Sequence, residues 1–219
     1  MLQQTQVARV VPRWEAWLER WPDAASLAAA PVADVLAAWV GLGYNRRALR
    51  LREAAAVVAR EGWPADLTTL PGVGPYTAAA VGSFAFGRQE VAVDTNLRRV
   101  FDRAGPLDPP PGRAAAFNHA MMDLGATVCT ARRPRCEVCP LSRCGSRGAV
   151  VVAPRRAAGT RVRFEDTDRY ARGRVVAALA SGEGVPTDLE PVRLQRVLAG
   201  LERDGLVARG PDGAVRLPG

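Results

Sequence analysis

The residues that could do chemistry are concentrated in one stretch, residues 70–96, LPGVGPYTAAAVGSFAFGRQEVAVDTN. It opens with a turn containing Gly72 and Gly74, continues as a small-residue helix, and reaches Asp94 after the apolar residues 91–93. Glycine tolerates positive φ and the close approach of another backbone. The free amides at the start of the following helix can hold a phosphate. These features predict a turn that binds the DNA backbone and presents a carboxylate to it. The alternative is an ordinary helix–turn–helix corner followed by a surface Asp.

The four cysteines form a second chemical group, within sixteen residues, in the pattern Cys129-x6-Cys136-x2-Cys139-x4-Cys144. In a reducing compartment such clustering favours a metal centre over disulfides. Four thiolates suit either a tetrahedral zinc ion or a [4Fe–4S] cluster, and the spacing leaves both open. Four arginines lie among these cysteines, as expected of a loop that faces DNA: Arg132, Arg133, Arg135 and Arg143.

Length, composition and charge narrow the class of protein. The 219 residues have room for one domain of ordinary size and a small second one. No apolar run approaches the ~20 residues of a membrane span, and the N-terminus lacks the layout of a signal peptide. We therefore predict a cytoplasmic, nucleoid-associated protein with no membrane partner and reduced thiols.

The basic residues have two consequences. A net charge of +8 and a pI of about 10.5 indicate a polyanionic partner. All 30 basic side chains are arginines, so no lysine amine is available to form a Schiff base.

The elements that position these residues are predicted to be helices, so that residues 1–145 are all-α. A helix from Val7 carries Val10, Trp14, Trp17 and Leu18 at helical spacing, with a kink or an early boundary at Pro12. The single histidine, His119, is expected on a helix surface. The remaining helices are predicted at residues 24–30, 32–39, 46–60, 96–104 and 113–128, in addition to the small-residue helix that follows the glycine turn.

The C-terminal residues predict a second, small unit. A polar linker at 146–165 separates a first domain, 1–145, from a second, 166–219. Helices at 170–180 and 191–203 precede two short apolar strands around the turn 210–213, which is a hairpin signal. This order is typical of a winged helix, which binds DNA or serves as a packing module.

Five short motifs lead up to the cysteine run. They are MLQQTQV at 1–7, GLGY at 41–44, LPGVGPYTAAAV at 70–81, VDTN at 93–96 and FNHAMMDLGATVC at 117–129, which ends on the first cysteine. Together they resemble the helix-hairpin-helix DNA glycosylases that carry an iron–sulfur cluster, and most of all the MutY-type adenine DNA glycosylases. The resemblance covers residues 1 to about 145. It implies the all-α fold of that superfamily and selects [4Fe–4S] over zinc for the four cysteines.

The resemblance implies removal of adenine mispaired with 8-oxoguanine or guanine in double-stranded DNA, by a monomer. Asp94 is then the carboxylate that stabilises the sugar cation developing at C1′, by the logic of glycoside hydrolysis. Tyr76 takes the place of the Schiff-base lysine of lyase-type relatives, and Asn96 orients its neighbours. The endonuclease III-type relatives share the fold and the cluster, but an efficient β-lyase step needs an amine nucleophile. The absence of lysine therefore predicts a monofunctional enzyme.

The resemblance also implies the DNA contacts. Gln4, Thr5, Leu42 and Tyr44 correspond to residues that probe or wedge the base stack around the lesion. Gly72, Val73 and Gly74 would hold the phosphate next to the abasic site. The roughly sixty C-terminal residues are too few for the Nudix-like domain that many relatives carry, so lesion discrimination is expected to fall on the N-terminal residues.

Two departures from the family pattern bear on activity. The family's general acid is a Glu just ahead of the MLQQT segment, whereas this sequence begins at Met1. We expect an N-terminal truncation through a late-assigned start, with a natural remnant that binds DNA but hardly cuts it as the alternative. The last cysteine gap is x4 where the family usually has x5, which bears on cluster stability.

Two further classes of function stay open at this point. One is a non-catalytic iron–sulfur protein that binds DNA as a damage scanner or a redox-responsive regulator. The other is an all-α zinc module that binds DNA structurally.

Overall fold

The computed structural model describes residues 1–2, 5–149 and 162–219. Its helices and strands are, in chain order, α1 Val7–Arg20, α2 Ala24–Ala29, α3 Val32–Trp39, α4 Arg46–Glu61, α5 Pro75–Phe86, α6 Thr95–Ala104, α7 Ala114–Asp123, α8 Asp168–Ala180, α9 Pro191–Arg203, β1 Ala208–Arg209 and β2 Val215–Arg216. The predicted all-α class is confirmed. Among the described residues, no helix is both long enough and apolar enough to cross a membrane.

The first of two compact units combines Met1–Pro64 and Leu70–Gly72 with the described part of Thr160–Gly219. Its core is built around Trp39, whose ring lies 5.6 Å from that of Trp17 in an edge-on arrangement. Helix α8 packs against α3 and α9 and adds its apolar face to this core. The predicted C-terminal hairpin is present, with β1 and β2 antiparallel.

The packing of the C-terminal residues differs from the sequence-based division at residues 146–165. Val175 and Val176 of α8 and Leu201 of α9 are fully buried in the same core as Trp39. Two helices and a hairpin of two-residue strands are too small to enclose a core of their own. Their apolar faces are therefore buried against the N-terminal helices.

The second unit comprises Ala65–Thr69 and the described part of Val73–Gly159. Leu97 and Val100 of α6 pack against Met121 and Leu124, and the cysteine loop lies against this cluster. A π-helical turn, Leu124–Val128, follows α7, where the sequence predicted a continuous helix over 113–128. Its defining hydrogen bond joins the amide of Cys129 to the carbonyl of Leu124 at 2.7 Å.

Helix α1 also corrects the sequence analysis. It continues through Pro12 to Arg20, so Pro12 is not a boundary. Val10 and Trp17 are buried on either side of it, and their packing holds the helix together across the missing N–H. The other three members of the predicted apolar face are exposed: Val7, Trp14 and Leu18.

Candidate functional site

Asp94 is the N-cap of α6. Its Oδ1 accepts a hydrogen bond of 2.7 Å from the amide of Leu97, and its Oδ2 accepts one of 3.3 Å from Nδ2 of Asn96. An aspartate is favoured here because its carboxylate satisfies a free amide of the first turn and faces the positive end of the helix dipole. The half-buried carboxylate is thus fixed in place, with Asn96 in contact with it.

A second layer of hydrogen bonds joins this carboxylate to the cysteine loop. Arg99 donates to Oδ1 of Asn96 at 2.9 Å, to the carbonyl of Gly125 at 2.6 Å and to the carbonyl of Cys129 at 2.9 Å. The π-helical turn, a feature often found at functional sites, contains Gly125, and Cys129 is the residue that caps its end. A Cβ at Gly125 would lie 2.8 Å from Cβ of Asn96, so only glycine allows this approach.

Asn118 holds the extended segment that leads to Asp94. This side chain is fully buried. Its Oδ1 accepts from the amide of Ala92 at 3.0 Å, and its Nδ2 donates to Oγ of Ser83 at 2.9 Å and to the carbonyl of Glu90 at 3.0 Å. Sequence reasoning missed this residue, although a polar side chain on the core face of a predicted helix was the available signal.

The glycine turn leads into α5 as the sequence predicted. Gly72 has φ +78°, and a Cβ there would lie 2.7 Å from Cβ of Arg50, so both its conformation and its packing require glycine. Gly74 is the N-cap of α5, and Pro75 occupies the first helical position, where its missing N–H costs nothing. Tyr76 lies on the first turn with its side chain exposed.

The segment Gly41–Tyr44, named here the probing loop, is held through its carbonyls. Oγ1 of Thr5 donates to the carbonyl of Leu42 at 3.2 Å. Arg47 donates to the same carbonyl at 3.2 Å and to that of Gly43 at 3.1 Å. Tyr44 adopts a positive φ of 49°, uncommon for a residue with a side chain, and the residue is 45% exposed.

Two of the residues predicted to probe the DNA, Leu42 and Gln4, are not among the exposed residues that the structure describes. Leu42 is only 3% exposed, because its side chain packs into the core of the first unit. In this structure Leu42 anchors the probing loop and leaves Tyr44 at its surface, and a role of Leu42 in probing or wedging the base stack stays a prediction. Gln4 lies outside the described residues.

Arg47 is the main charge beneath the probing loop. Its guanidinium lies over the ring of Trp39 at 5.2 Å and that of Tyr44 at 5.7 Å. Burial lowers the pKa of Arg47 from its usual value; nearby Arg169 also lowers it, while Tyr44 raises it. Partial burial strengthens the hydrogen bonds from this guanidinium to the loop carbonyls, because local screening is weaker there.

The four cysteines line one cavity, together with apolar side chains such as Val100 and Leu141. Nη1 of Arg103 lies 3.4 Å from Sγ of Cys129, where it would stabilise a thiolate. Within the described ranges, no three His, Cys, Asp or Glu side chains converge on a single metal ion. The fit to an iron–sulfur cluster rests on the shared cavity and on a donor set of four sulfurs.

Comparison with known families agrees with this arrangement. Residues 1–121 match the HhH-GPD superfamily base excision DNA repair protein family. Residues 129–143 match the iron–sulfur binding domain of endonuclease III. This range contains Cys129, Cys136 and Cys139 and ends directly before Cys144, so the cysteines are those of an iron–sulfur domain.

Individual relatives extend the match to the whole chain. It is 45% identical to an adenine DNA glycosylase of Mycolicibacterium smegmatis, over 100% of this chain and 85% of that protein. It is 43% identical to one of Mycobacterium tuberculosis, over 100% of this chain and 83% of that protein. The human adenine DNA glycosylase is 41% identical over 68% of this chain and 32% of that protein.

Solved structures share the fold. A thermostable thymine-DNA glycosylase matches with a TM-score of 0.60 and 29% identity, over 67% of this chain and 80% of that one. A trapped endonuclease III–DNA covalent intermediate matches with a TM-score of 0.54 and 28% identity, over 65% of this chain and 78% of that one. With the site geometry, these matches show that the chain belongs to the HhH-GPD superfamily of base excision DNA repair proteins, in the adenine DNA glycosylase family.

Proposed function

We propose that this glycosylase hydrolyses the N-glycosidic bond of adenine mispaired with 8-oxoguanine or guanine in double-stranded DNA, acting as a monomer and without a lyase step. The observation that carries the proposal is Asp94, a half-buried carboxylate held by Leu97 and Asn96 at the start of α6. A fixed negative charge of this kind stabilises a developing sugar cation without reorganising during the reaction.

In the proposed reaction, the bond between C1′ and the adenine nitrogen breaks and its electron pair leaves with the base, which takes up a proton. The carboxylate of Asp94 lies against the resulting oxocarbenium-like centre, and a water molecule adds its hydroxyl group to C1′. The proton that this water releases balances the one that the adenine takes up. Asn96 holds Oδ2 of Asp94, and Tyr76 assists the cation with its phenol. The chain contains no lysine, so no side-chain amine competes with water for C1′.

The four cysteines would hold a [4Fe–4S] cluster, which supplies a covalent clamp on the loop 129–144. Arg103 anchors that loop by donating to the carbonyls of Thr130 at 2.8 Å and Ala131 at 3.0 Å. Through the carbonyl of Cys129, the loop also supports Arg99 and hence Asn96. The role proposed for the cluster domain is therefore positional.

We assign the DNA contacts to the exposed elements of the site. Tyr44 and Thr5, with Gln4 from the sequence motif, probe the base stack, and the turn Gly72-Val73-Gly74 holds a phosphate beside the extruded nucleotide. The positive φ of Gly72 and the free amides of α5 support the second assignment. The net charge of +8 adds sequence-independent attraction to the duplex.

A single-turnover assay tests the proposal. Duplexes carrying A opposite 8-oxoguanine, G or T are incubated with excess protein, and abasic sites are revealed by alkali. We expect abasic sites for the first two duplexes and not for A:T. Because the family's acid precedes the MLQQT segment, the product of the gene extended upstream in frame is assayed in parallel. Tight binding without an abasic site from either protein would support the non-catalytic alternative instead.

A further inference from the structure

A side chain from the C-terminal helix α8 lies on the probing loop. The guanidinium carbon of Arg169 is 4.1 Å from the centre of the Tyr44 ring and 5.9 Å from that of Phe164. Its Nη2 also lies 3.5 Å from the point that a Cβ on Gly43 would occupy. Arg169 and Tyr44 both belong to the first compact unit, so this contact lies within one packed body.

Arg169 differs from the other arginines of α8 in its partners. Arg172 forms an ion pair with Asp204 at 2.5 Å, and Arg174 forms one with Asp188 at 2.6 Å. In the part of the chain that the structure describes, Arg169 contacts aromatic rings and forms neither an ion pair nor a hydrogen bond. Its charge is therefore not neutralised by any described acid.

The stacked position suits an anion. A guanidinium lying over a ring keeps its N–H donors at its edge, where they fit a phosphate in bidentate fashion. Arg47 lies over the same Tyr44 ring at 5.7 Å, so two cations share one aromatic side chain. Burial is the main reason that the pKa of Arg47 is lowered, and repulsion from Arg169 adds to it. A bound anion would relieve that repulsion.

We propose that Arg169 is a DNA-binding residue: stacked on Tyr44, it neutralises one backbone phosphate beside the base pair that Tyr44 probes. The C-terminal residues thereby become part of the DNA interface, where the sequence left their role open. The inference rests on the proposed function, because it takes Tyr44 as a residue that meets DNA.

The test is the salt dependence of DNA binding by the full chain. Affinity for an undamaged duplex and for an A:8-oxoguanine duplex is measured by fluorescence anisotropy between 50 and 200 mM KCl. Each phosphate contact contributes about 0.9 to the slope of log K against log salt. We expect Arg169→Ala to reduce the slope by about 0.9 on both duplexes. Between 50 and 200 mM KCl the wild-type affinity should therefore fall by roughly threefold more than that of the variant.

Matched variants separate this effect from a loss of charge or of folding. Arg174→Ala removes an equal charge from the same helix and is expected to keep the wild-type slope. Arg169→Lys keeps the cation and should keep most of the slope, whereas Arg169→Gln, which retains a long polar side chain, should behave as Arg169→Ala. Equal thermal midpoints for the Arg169 and Arg174 variants show that both are folded.

Equal slopes for Arg169→Ala and Arg174→Ala would overturn the proposal. In the double variant with Tyr44→Ala, we expect the loss to be less than the sum of the single losses, because the ring holds the guanidinium. Strict additivity would overturn the stacking part. Binding requires no base release, so a chain that binds DNA but frees no adenine would refute the proposed function and still allow this test.

Discussion

Asp94 and Tyr44 are held in opposite ways. Both oxygens of Asp94 accept hydrogen bonds, its neighbour Asn96 is held by Arg99, and the segment before it is held by the buried Asn118. Tyr44 is 45% exposed, and the guanidinium groups of Arg47 and Arg169 lie over its ring. The hydrogen bonds that hold its loop go to backbone carbonyls.

The difference matches the work proposed for each residue. A group that stabilises a transition-state charge is effective only if it does not reorganise. The hydrogen bonds on both oxygens of Asp94, and the one that holds Asn96, meet this requirement. A residue that tests many base pairs must adapt to each, and an exposed ring on a well-anchored loop can do so. Substitutions around Asp94 should therefore change the rate, and substitutions around Tyr44 should change binding.

The largest effect is expected for Asp94→Asn. Asparagine is an equally good N-cap, so the helix is kept while the charge is lost. The single-turnover rate should fall by about 10²–10³-fold with little change in Tm or in DNA affinity. Asp102→Asn, at an exposed position of the same helix, is the control. A rate within a factor of three of wild type would remove Asp94 from the mechanism.

Asn118→Ala should destabilise the protein, since it leaves the amide of Ala92 buried without its partner. A buried unsatisfied group costs about 1–3 kcal/mol, which corresponds to roughly 2–12 °C in Tm. Thermal unfolding followed by circular dichroism measures this, with the exposed neighbour His119→Ala for comparison. An unchanged Tm would contradict the importance given to this hydrogen-bond network.

Arg99→Gln should slow base release by about 10–100-fold, the range typical of residues that support a metal-site ligand. The physical reason is that Asn96 loses its support and the carbonyl of Cys129 loses its donor. Arg98→Gln removes the same charge from an exposed position. Equal rates for the two variants would mean that only the lost positive charge slows the reaction. The hydrogen bonds from Arg99 would then not contribute to the rate.

Tyr44→Ala should weaken binding to the mispaired duplex by about 1–3 kcal/mol, the usual contribution of one stacked base. The rate at saturating protein should change much less. Anisotropy and single-turnover kinetics measure the two effects separately, with the exposed Trp14→Ala as the control. A large change in the rate of base release at saturating protein would contradict the contrast between Asp94 and Tyr44, because Tyr44 would then act in the chemical step.

The smallest effect concerns pH and the helix that carries Arg169. Two hydrogen bonds from Arg196, at 2.8 and 2.9 Å, are the main reason that the pKa of Asp168 lies below its usual value. A carboxyl with a lowered folded-state pKa adds stability above its unfolded pKa of about 3.9, and the stability disappears as the pH falls through the folded value. Asp168→Asn should therefore lower Tm slightly at pH 7, and the difference from wild type should shrink as the pH falls below about 3.9.

Much of the helical framework could be predicted from sequence. The bounds of α3 and α9, the N-cap glycine of α5 and the C-terminal hairpin follow from local patterns that act within a few residues. The burial of Leu42 could not be predicted in this way. A GLGY motif does not show which of its side chains faces the core, because that depends on helices distant in sequence.

The residues around Asp94 show the same limit. The carboxylate and its neighbour Asn96 stand in one short motif and were found from it. Arg99 and Gly125 meet across 26 positions of the chain, and no local pattern marks them. Asn118 is marked only as a polar residue on the core face of a predicted helix, and its partners lie 28 and 35 positions away. The stacking of Arg169 on Tyr44 joins residues still further apart, in segments that the sequence assigned to different domains.

The π-helical turn at Leu124–Val128 has a consequence for how this chain tolerates insertions and deletions. Such a turn is equivalent to an α-helix with one inserted residue. An α-helix advances about 100° per residue, so deleting one residue here would restore an ordinary helix and rotate everything after it by that angle. The carbonyl that Arg99 binds and the first cysteine of the cluster would then point away together. One inserted residue thus fixes the rotation about the helix axis at which the iron–sulfur loop leaves α7, and with it the hydrogen bonds between that loop and Arg99.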